Sequence, residues 1–325
     1  MQVSRKFWSL LTAGALALAA QPAAAQAWPT KPVKIIVAFT PGSATDIVGR
    51  AVADKLSGAL GQPVIVENRP GAGGTIGTNV VAKADPDGYT LLINSSAHTS
   101  NPSIYASLPF DTLKDIVGVT TLAGQPNVLV VSSSLGFKTA KDLIAGAKAK
   151  PGSFNYASAG TGSGTHMNAE KFRIAAGIDA VHIPYKGTPE AMSDTMTARV
   201  TYFFAPITAA LGPVRDGKLV ALGVSTIKRS SALPNVPTVA ESAGMKDFDF
   251  NLWVGLFAPA KTPRDIIAKL NREVVKVLNS AEMKERLVRI GADPMPMTPE
   301  QFDAYIREEL EVNAKIAAAA GIKAQ

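Results

Sequence analysis

The residues able to do chemistry in this chain are few and mostly neutral. Its three histidines, His98, His166 and His182, stand without a His-x-His or His-x-x-x-His spacing, and there is no cysteine. A zinc site is therefore not expected. Ser163 has Thr161 where a Gly-x-Ser-x-Gly elbow needs its first glycine, and Ser43 has no glycine two residues before it. A serine-hydrolase nucleophile is therefore not set up either. Paired carboxylates of the glycosidase kind are absent from the loops. The loops carry hydroxyls, glycine N–H groups and neutral amides, which orient a ligand without transforming it.

Two stretches concentrate these groups. In the first, Val33–Phe39 reads as a strand buried on both faces, and Thr40-Pro41-Gly42-Ser43-Ala44-Thr45-Asp46 turns into a helix from about Thr45 to Leu60. Such a turn presents unpaired N–H groups at the positive end of a helix dipole, where open α/β sheets bind anions. No lysine stands in it, so a carboxylate fits better than a nucleotide phosphate. The alternative is a connection capped by Thr45 or Asp46 that binds nothing. In the second, Phe154–Ala159 leads through Gly160-Thr161-Gly162-Ser163-Gly164-Thr165-His166 into a helix to Ala176. His166, at a helix start, is expected to stay neutral; it either donates to a ligand oxygen or is a satisfied structural histidine. Pro70–Gly77 is a third glycine-rich turn. It lacks the third glycine of a dinucleotide fingerprint and reads as a tight turn, with a second anion nest as the alternative.

These turns need strands and helices around them, and β–α alternation recurs along the chain. Strands are expected at Pro63–Arg69, Thr90–Ser95, Val117–Leu122, Asn127–Ser132, Ala180–Tyr185, Val200–Ala205 and Leu219–Ser225. Gly124-Gln125-Pro126 reads as a crossover, and Phe248–Pro259 returns in extended form. Ser96, Ala97, His98 and Thr99 fall on the loop after Thr90–Ser95. Three helices, Pro263–Leu278, Ala281–Ile290 and Pro299–Ala319, close the chain. The pattern gives two α/β lobes, each built on an open, mostly parallel sheet. The organisation expected is lobe 1 from 28–126 plus 248–325 and lobe 2 from 127–247, with a hinge near Gly124–Pro126 and the return strand after Leu222.

Residues 1–27 read as a secretory leader: Arg5 and Lys6, an apolar Phe7–Ala20, a break at Pro22 and small residues at Ala23, Ala25 and Ala27. Cleavage after Ala27 is favoured over Ala25, and the product is expected in the periplasm. The leader holds two of the 33 Lys+Arg and none of the 26 Asp+Glu, so residues 28–325 carry +5. The cations are scattered singly without interleaved aromatics, which fits anionic small molecules and excludes a nucleic-acid partner. No cofactor is expected.

The motifs assembled so far continue along the chain. They include Trp28-Pro29-Thr30-Lys31-Pro32, Pro41–Asp46, Glu67–Gly74, Asp85-Pro86-Asp87-Gly88-Tyr89, His182–Gly187, Gly217-Lys218-Leu219 and Val236–Glu241. In this order they resemble a Bug-type periplasmic solute-binding protein of the tripartite tricarboxylate transporter systems, over all of residues 28–325. The resemblance implies a type II periplasmic-binding-protein-like fold and closure of two lobes on a small carboxylate. It implies delivery of that ligand to membrane permease subunits by a monomeric, non-enzymatic receptor. A component presenting the ligand to a sensor kinase, and a hydrolase or isomerase using His98 or His166 as base, are the alternatives. Carried onto this sequence, Thr40, Gly42, Ser43, Ala44, Thr45 and Asp46 grip one carboxylate, with N–H groups of Ser43, Ala44 and Thr45 as donors. Ser158, Gly160, Thr161, Thr165 and His166 meet the ligand from lobe 2, Ser96 and His98 flank it, and Ala205 and Pro206 stand at its far end. Many relatives carry an acidic or amide pair at those last two positions. Its absence disfavours an amino-acid ligand, whose ammonium would lose a counter-charge, and favours a dicarboxylate or aromatic acid. Tyr202, Phe203 and Phe204 either turn one ring to the cleft or are ordinary core residues.

Overall fold

The structure, a computed structural model, describes residues 28–322. The expected leader lies outside the described residues. Three strands open the first lobe: β1 (Val33–Val37), β2 (Val64–Asn68) and β3 (Thr90–Ser95), with β1 parallel to both others. The seventeen-residue strand β4 (Ile116–Ser132) then runs through both lobes. Its first half pairs antiparallel with β9 (Asn251–Pro259), which also pairs with β3. Its second half pairs antiparallel with β7 (Tyr202–Pro206) and β8 (Leu219–Val224). In lobe 2, β5 (Phe154–Ser158) lies parallel between β6 (Ala180–Pro184) and β7. A two-residue strand, β10 (Asp293–Pro294), edges β4.

The two strands expected at Val117–Leu122 and Asn127–Ser132 are thus one strand, with Pro126 inside it. Proline cannot donate to a ladder. It is tolerated here because it stands where the partner changes: Pro126 is the last residue opposite β9, at Asn251, and Asn127 the first opposite β7, at Pro206. The return to lobe 1 passes through Phe250 and Asn251, within the segment Phe248–Pro259 expected to return in extended form, while β8 stays paired along β4.

Helices cover both faces of each sheet. They are α1 (Ala44–Leu60), α2 (Thr75–Ala82), α3 (Ala97–Ile104), α4 (Ala140–Ala149), α5 (Gly164–Ala176) and α6 (Thr188–Met196). Then come α7 (Ile207–Arg215), α8 (Val239–Ala243), α9 (Arg264–Asn279), α10 (Ala281–Arg289) and α11 (Pro299–Ala319). Val33, Ile35 and Val37 of β1 enter one core with α1 and α9, while Ile36 enters the opposite core with Phe257 and Phe302. β7 divides in the same way, Tyr202 and Phe204 to one side, Phe203 and Ala205 to the other. All three rings are therefore core residues, each worth roughly 1.5–3 kcal/mol of burial. Ala205, expected at the site, faces the α7 core because alternation sends it away from the side on which Pro206 emerges. The C-terminal helix α11 packs on α3 and β4 of lobe 1 and also reaches α5 of lobe 2, where Arg173 donates to Ala320 O at 3.2 Å.

Candidate functional site

The two turns singled out by sequence meet across one cavity between the lobes, and they are built alike. Gly42 and Gly162 have φ of 77° and 79°. Each is followed by a serine N-cap in extended conformation, Ser43 (φ −69°, ψ 160°) and Ser163 (φ −68°, ψ 157°). Each serine Oγ accepts from the amide three residues on, Asp46 N and His166 N, both at 3.3 Å. Each glycine N–H donates back to the side chain four residues on: Gly42 to Asp46 Oδ2 at 2.9 Å, Gly162 to His166 Nδ1 at 3.2 Å. The pattern Gly-Ser-x-x-acceptor thus recurs in both lobes, with Asp in one and His in the other.

This bracing determines which donors stay free. The serine N–H groups are used inside the turns, Ser43 on Thr40 O at 3.1 Å and Ser163 on Gly160 O at 3.0 Å. Ser43 N–H, expected as a ligand donor, is thus already bonded within its own turn. The N–H groups of Ala44 and Thr45 in α1, and of Gly164 and Thr165 in α5, have no acceptor among the described residues. All four residues wall the cavity, with Phe39, Ser43, Ser95, Ala159, Ser163, Thr188, Pro206 and Leu252. Two helix N-termini, each equivalent to about half a positive charge, point at one space whose described wall has no charged side chain. About 20 Å³ is open to water, room for about one molecule, so the lobes stand close together around this space.

Several expected site residues act on the turns instead of facing the cavity. Asp46, 4 % exposed, holds Gly42 N–H while accepting from Arg50 Nε at 2.9 Å and Asn68 Nδ2 at 2.8 Å. Both of its carboxylate oxygens are thus engaged inside lobe 1, and Asp46 is not part of the cavity wall. His166 is occupied at Nδ1 and stacks on His182, ring centroids 4.0 Å apart. His182 Nε2 in turn lies 2.6 Å from Ser158 Oγ, which accepts from Gly160 N at 3.1 Å. Burial lowers both imidazole pKa values, His166 to about 4 with help from the Arg173 charge, His182 to about 3 with help from His166. Both rings are therefore neutral at pH 7, and His166 Nδ1 is the acceptor that the Gly162 bond requires. His98 is packed on Phe257 at 4.6 Å, 2 % exposed, and lies outside the cavity wall. Burial lowers its pKa to about 4; the Thr112 backbone beside it gives a weak opposing pull but falls outside hydrogen-bond geometry. Its placement leaves it unable to serve as a base in the cleft.

The remaining expected residues lie where the lobes touch. Tyr105 OH donates to Thr161 O at 3.1 Å, and Ser100 Oγ to Gly162 O at 2.5 Å. A Cβ on Gly73 would overlap Thr161 O, one on Gly164 would overlap Ser96 Oγ, and one on Gly187 would overlap Thr40 Oγ1. The Gly71–Gly77 stretch, read as a tight turn, thus also presses its main chain against the opposite lobe. Ala159, Ser163 and Gly164 lie within the expected turn Ser158–His166, though not singled out in it; sequence reasoning missed Phe39, Ser95, Thr188 and Leu252 on the wall. The repeated Gly-Ser-x-x-acceptor spacing would have picked out Ser163 and Gly164; Thr188 and Leu252 reach the cavity through tertiary packing alone.

A two-lobed α/β chain closing on a cavity at two helix N-termini is a solute-binding protein of the periplasmic-binding-protein fold. Comparison with known proteins supports this class and narrows it. Residues 48–322 match the model of the tripartite tricarboxylate transporter family receptor. Protein BugT of Bordetella pertussis is 37 % identical over 306 residues, covering 94 % of each chain. A Rhodopseudomonas palustris protein solved with adipate superposes with a TM-score of 0.89 at 32 % identity, covering 92 % of this chain and 100 % of the other. MatC of the same organism, solved with bound malate, gives 0.84 at 30 % identity over 89 % and 99 %. The chain belongs to the tripartite tricarboxylate transporter receptor family and is a Bug-type solute-binding protein, not an enzyme.

Proposed function

We propose that this chain is an exported receptor that captures a small carboxylate between its lobes and delivers it to the permease of a tripartite tricarboxylate-type transporter. The observation that carries the reading is the convergence of four free N–H groups, two from each lobe, on a closed cavity without charged side chains. A carboxylate oxygen accepts such donors well, and charge-assisted bonds are about twice as strong as neutral ones. Donors divided between two lobes also give the ligand a reason to close them: it gains its full set of bonds only in the closed form. The adipate and malate bound by two relatives are small dicarboxylates, in line with this chemistry. With no anionic side chain free at the cavity, an α-ammonium group would stand unpaired, so an acid without an amino group is favoured. The apolar stretch and small-residue motif of residues 1–27 support export to the periplasm as a cleaved product.

A thermal-shift screen of carboxylic acids tests this. A ligand at a hundred times its dissociation constant stabilises by about 2.7 kcal/mol, a readily seen shift. Dicarboxylates and carboxylates with an uncharged or aromatic body are expected to shift the transition, and aspartate and glutamate to shift it less. A panel in which no acid stabilises the protein would contradict the reading; a strongest shift from an α-amino acid would contradict the exclusion of an ammonium.

A further inference from the structure

Two helices of lobe 1 open on the same local pattern, Thr-Pro followed by two polar residues, and do not begin alike. Thr298-Pro299-Glu300-Gln301 starts α11 with Thr298 as N-cap, its hydroxyl accepting from Gln301 N at 3.2 Å. Thr262-Pro263-Arg264-Asp265 starts α9 one residue later. There Pro263 is the N-cap, at ψ 139°, and it has no side-chain acceptor to offer. The N–H groups of Arg264 and Asp265 are consequently without an acceptor among the described residues. Thr262 is 5 % exposed, and its buried hydroxyl has no hydrogen-bond partner among them either. Buried polar groups are ordinarily paired, so this hydroxyl calls for an occupant beside it.

Thr262 and Arg264 wall a cavity of about 540 Å³, which Asn271 of α9 and Glu300 and Asp303 of α11 also line. Arg264, Glu300 and Asp303 belong to no ion pair among the described residues. Asp303 accepts Gly118 N–H on Oδ1 at 3.3 Å, which leaves Oδ2 free. Asn271 is fixed by two Nδ2 bonds, to Val119 O at 2.9 Å and Met297 O at 2.8 Å, and its Oδ1 is free as well. Donors thus gather at the α9 N-terminus, where the helix dipole favours a negative group, and free acceptors stand on α11 and further along α9. Val117, Ile267 and Pro299 supply apolar wall between them. Val117 stands opposite Ala258 of β9, six residues along that strand from Leu252 on the cleft wall, so about 20 Å separates the two cavities.

We propose that this cavity is a second ligand site, outside the cleft, which binds a zwitterionic amino acid with an apolar side chain. The carboxylate of the amino acid takes the free α9 N–H groups, the Thr262 hydroxyl and the Arg264 guanidinium. Its ammonium takes Asp303 Oδ2 and Asn271 Oδ1, with Glu300 beside them, and its side chain lies on Val117, Ile267 and Pro299. The volume falls within the roughly 300–1,000 Å³ of ordinary small-molecule sites. The opposed charges set the class: a plain carboxylate leaves Asp303 and Glu300 without a partner, and a plain amine leaves Arg264 without one. The site is independent of the carboxylate reading of the cleft, whose wall has no partner for an ammonium.

The test is a ¹H–¹⁵N correlation titration of the isotope-labelled chain with L-leucine, with isocaproate, which lacks the ammonium, and with isoamylamine, which lacks the carboxylate. Leucine is expected to move the amides of Arg264, Asp265 and Asp303 to saturation. Each analogue is expected to bind there at least about ten-fold more weakly, since each forfeits a charge-assisted contact. Arg264→Gln and Asp303→Asn are each expected to weaken leucine about ten-fold or more while leaving adipate affinity within about two-fold. Both variants should fold, because Gln removes a cation from a helix start and Asn keeps an acceptor for Gly118 N–H. Leucine shifts absent from these amides, matched by either analogue, or unaltered by both variants would overturn the site. Leucine shifts at Ala44, Thr45, Gly164 and Thr165 instead would overturn it together with the exclusion of an ammonium from the cleft. A leucine response as expected with no response to any carboxylic acid in the cleft would uphold this site and take down the carboxylate reading alone.

Discussion

The turn of lobe 1 and the turn of lobe 2 use one backbone geometry and two different braces. In lobe 1 the acceptor for the glycine N–H is a carboxylate tied to Arg50 and Asn68. In lobe 2 it is a neutral imidazole, held in place by stacking on His182, which stacks in turn on Tyr156 at 5.0 Å. The first brace is a charged network and the second an aromatic column, yet both leave the same two N–H groups free. The lesson is that the free donors are set by the turn's backbone, while the side chain four residues on holds that backbone. It also explains why Asp46 and His166, the most reactive-looking residues of the two turns, are engaged inside their own turns.

Breaking the charged brace should have the largest effect. Asp46→Ala removes the buried acceptor that Gly42 N–H, the half-exposed Arg50 and Asn68 share, and is expected to cost about 2 kcal/mol in urea unfolding. A loss as small as that of a surface substitution would show that the network holds nothing. Removing a ligand-facing donor should spare the fold. Proline is well tolerated at the first helical position, so Ala44→Pro is expected to keep Tm within a few degrees while weakening carboxylate binding about ten- to a hundred-fold in calorimetry. Unchanged binding would remove Ala44 N–H from the site.

The neutral brace is the weaker one. His166→Phe keeps the stack and loses only the acceptor for Gly162 N–H, for an expected cost of about 1 kcal/mol at pH 7. A cost equal to that of Asp46→Ala would erase the contrast between the lobes. The smallest effect is a change of slope with pH. The three histidines are held neutral in the fold, with pKa values lowered from 6.5 to about 4 for His98 and His166 and about 3 for His182. Below pH 6.5 the unfolded chain takes up protons that the folded chain refuses, so stability falls with falling pH and levels off as each folded pKa is passed. Each group contributes at most about 1.4 kcal/mol per pH unit. Denaturation at pH 7, 6 and 5 should show His166→Phe with a shallower decline than the wild type; an identical decline would mean that His166 titrates as in the unfolded chain.

Much of the frame was legible in sequence because it rests on local signals. The apolar run Val33–Phe39, the turn Thr40–Asp46 and the repeated turn at Gly160–His166 each announce an element without tertiary help, although the first helix is capped by Ser43 and not by Thr45 or Asp46. The helix Pro299–Ala319 was legible to the residue, since Thr298 and Gln301 form a capping box around Pro299. What was not legible depended on partners distant in the chain. Pro126 reads as a break until the change of strand partner at that residue is known. Ala205 and Pro206 look alike in sequence, and only the alternation of β7 assigns one to a core and the other to the cavity. His98 follows directly on the β3 segment that supplies Ser95 to the cavity, but its ring is drawn to Phe257, a residue 159 positions on. The glycine of the 71–74 turn was recognised as conformational, but its contact with Thr161 belongs to the closed pair of lobes and has no local signature.

The account stands or falls on which amides touch the ligand. In a ¹H–¹⁵N correlation titration of the isotope-labelled chain with adipate and with malate, the account predicts the largest downfield amide shifts at Ala44, Thr45, Gly164 and Thr165 together. Ser43 and Ser163, whose N–H groups are bonded within the turns, should move less. Shifts confined to one lobe, or largest away from both helix starts, would contradict capture of a carboxylate between them.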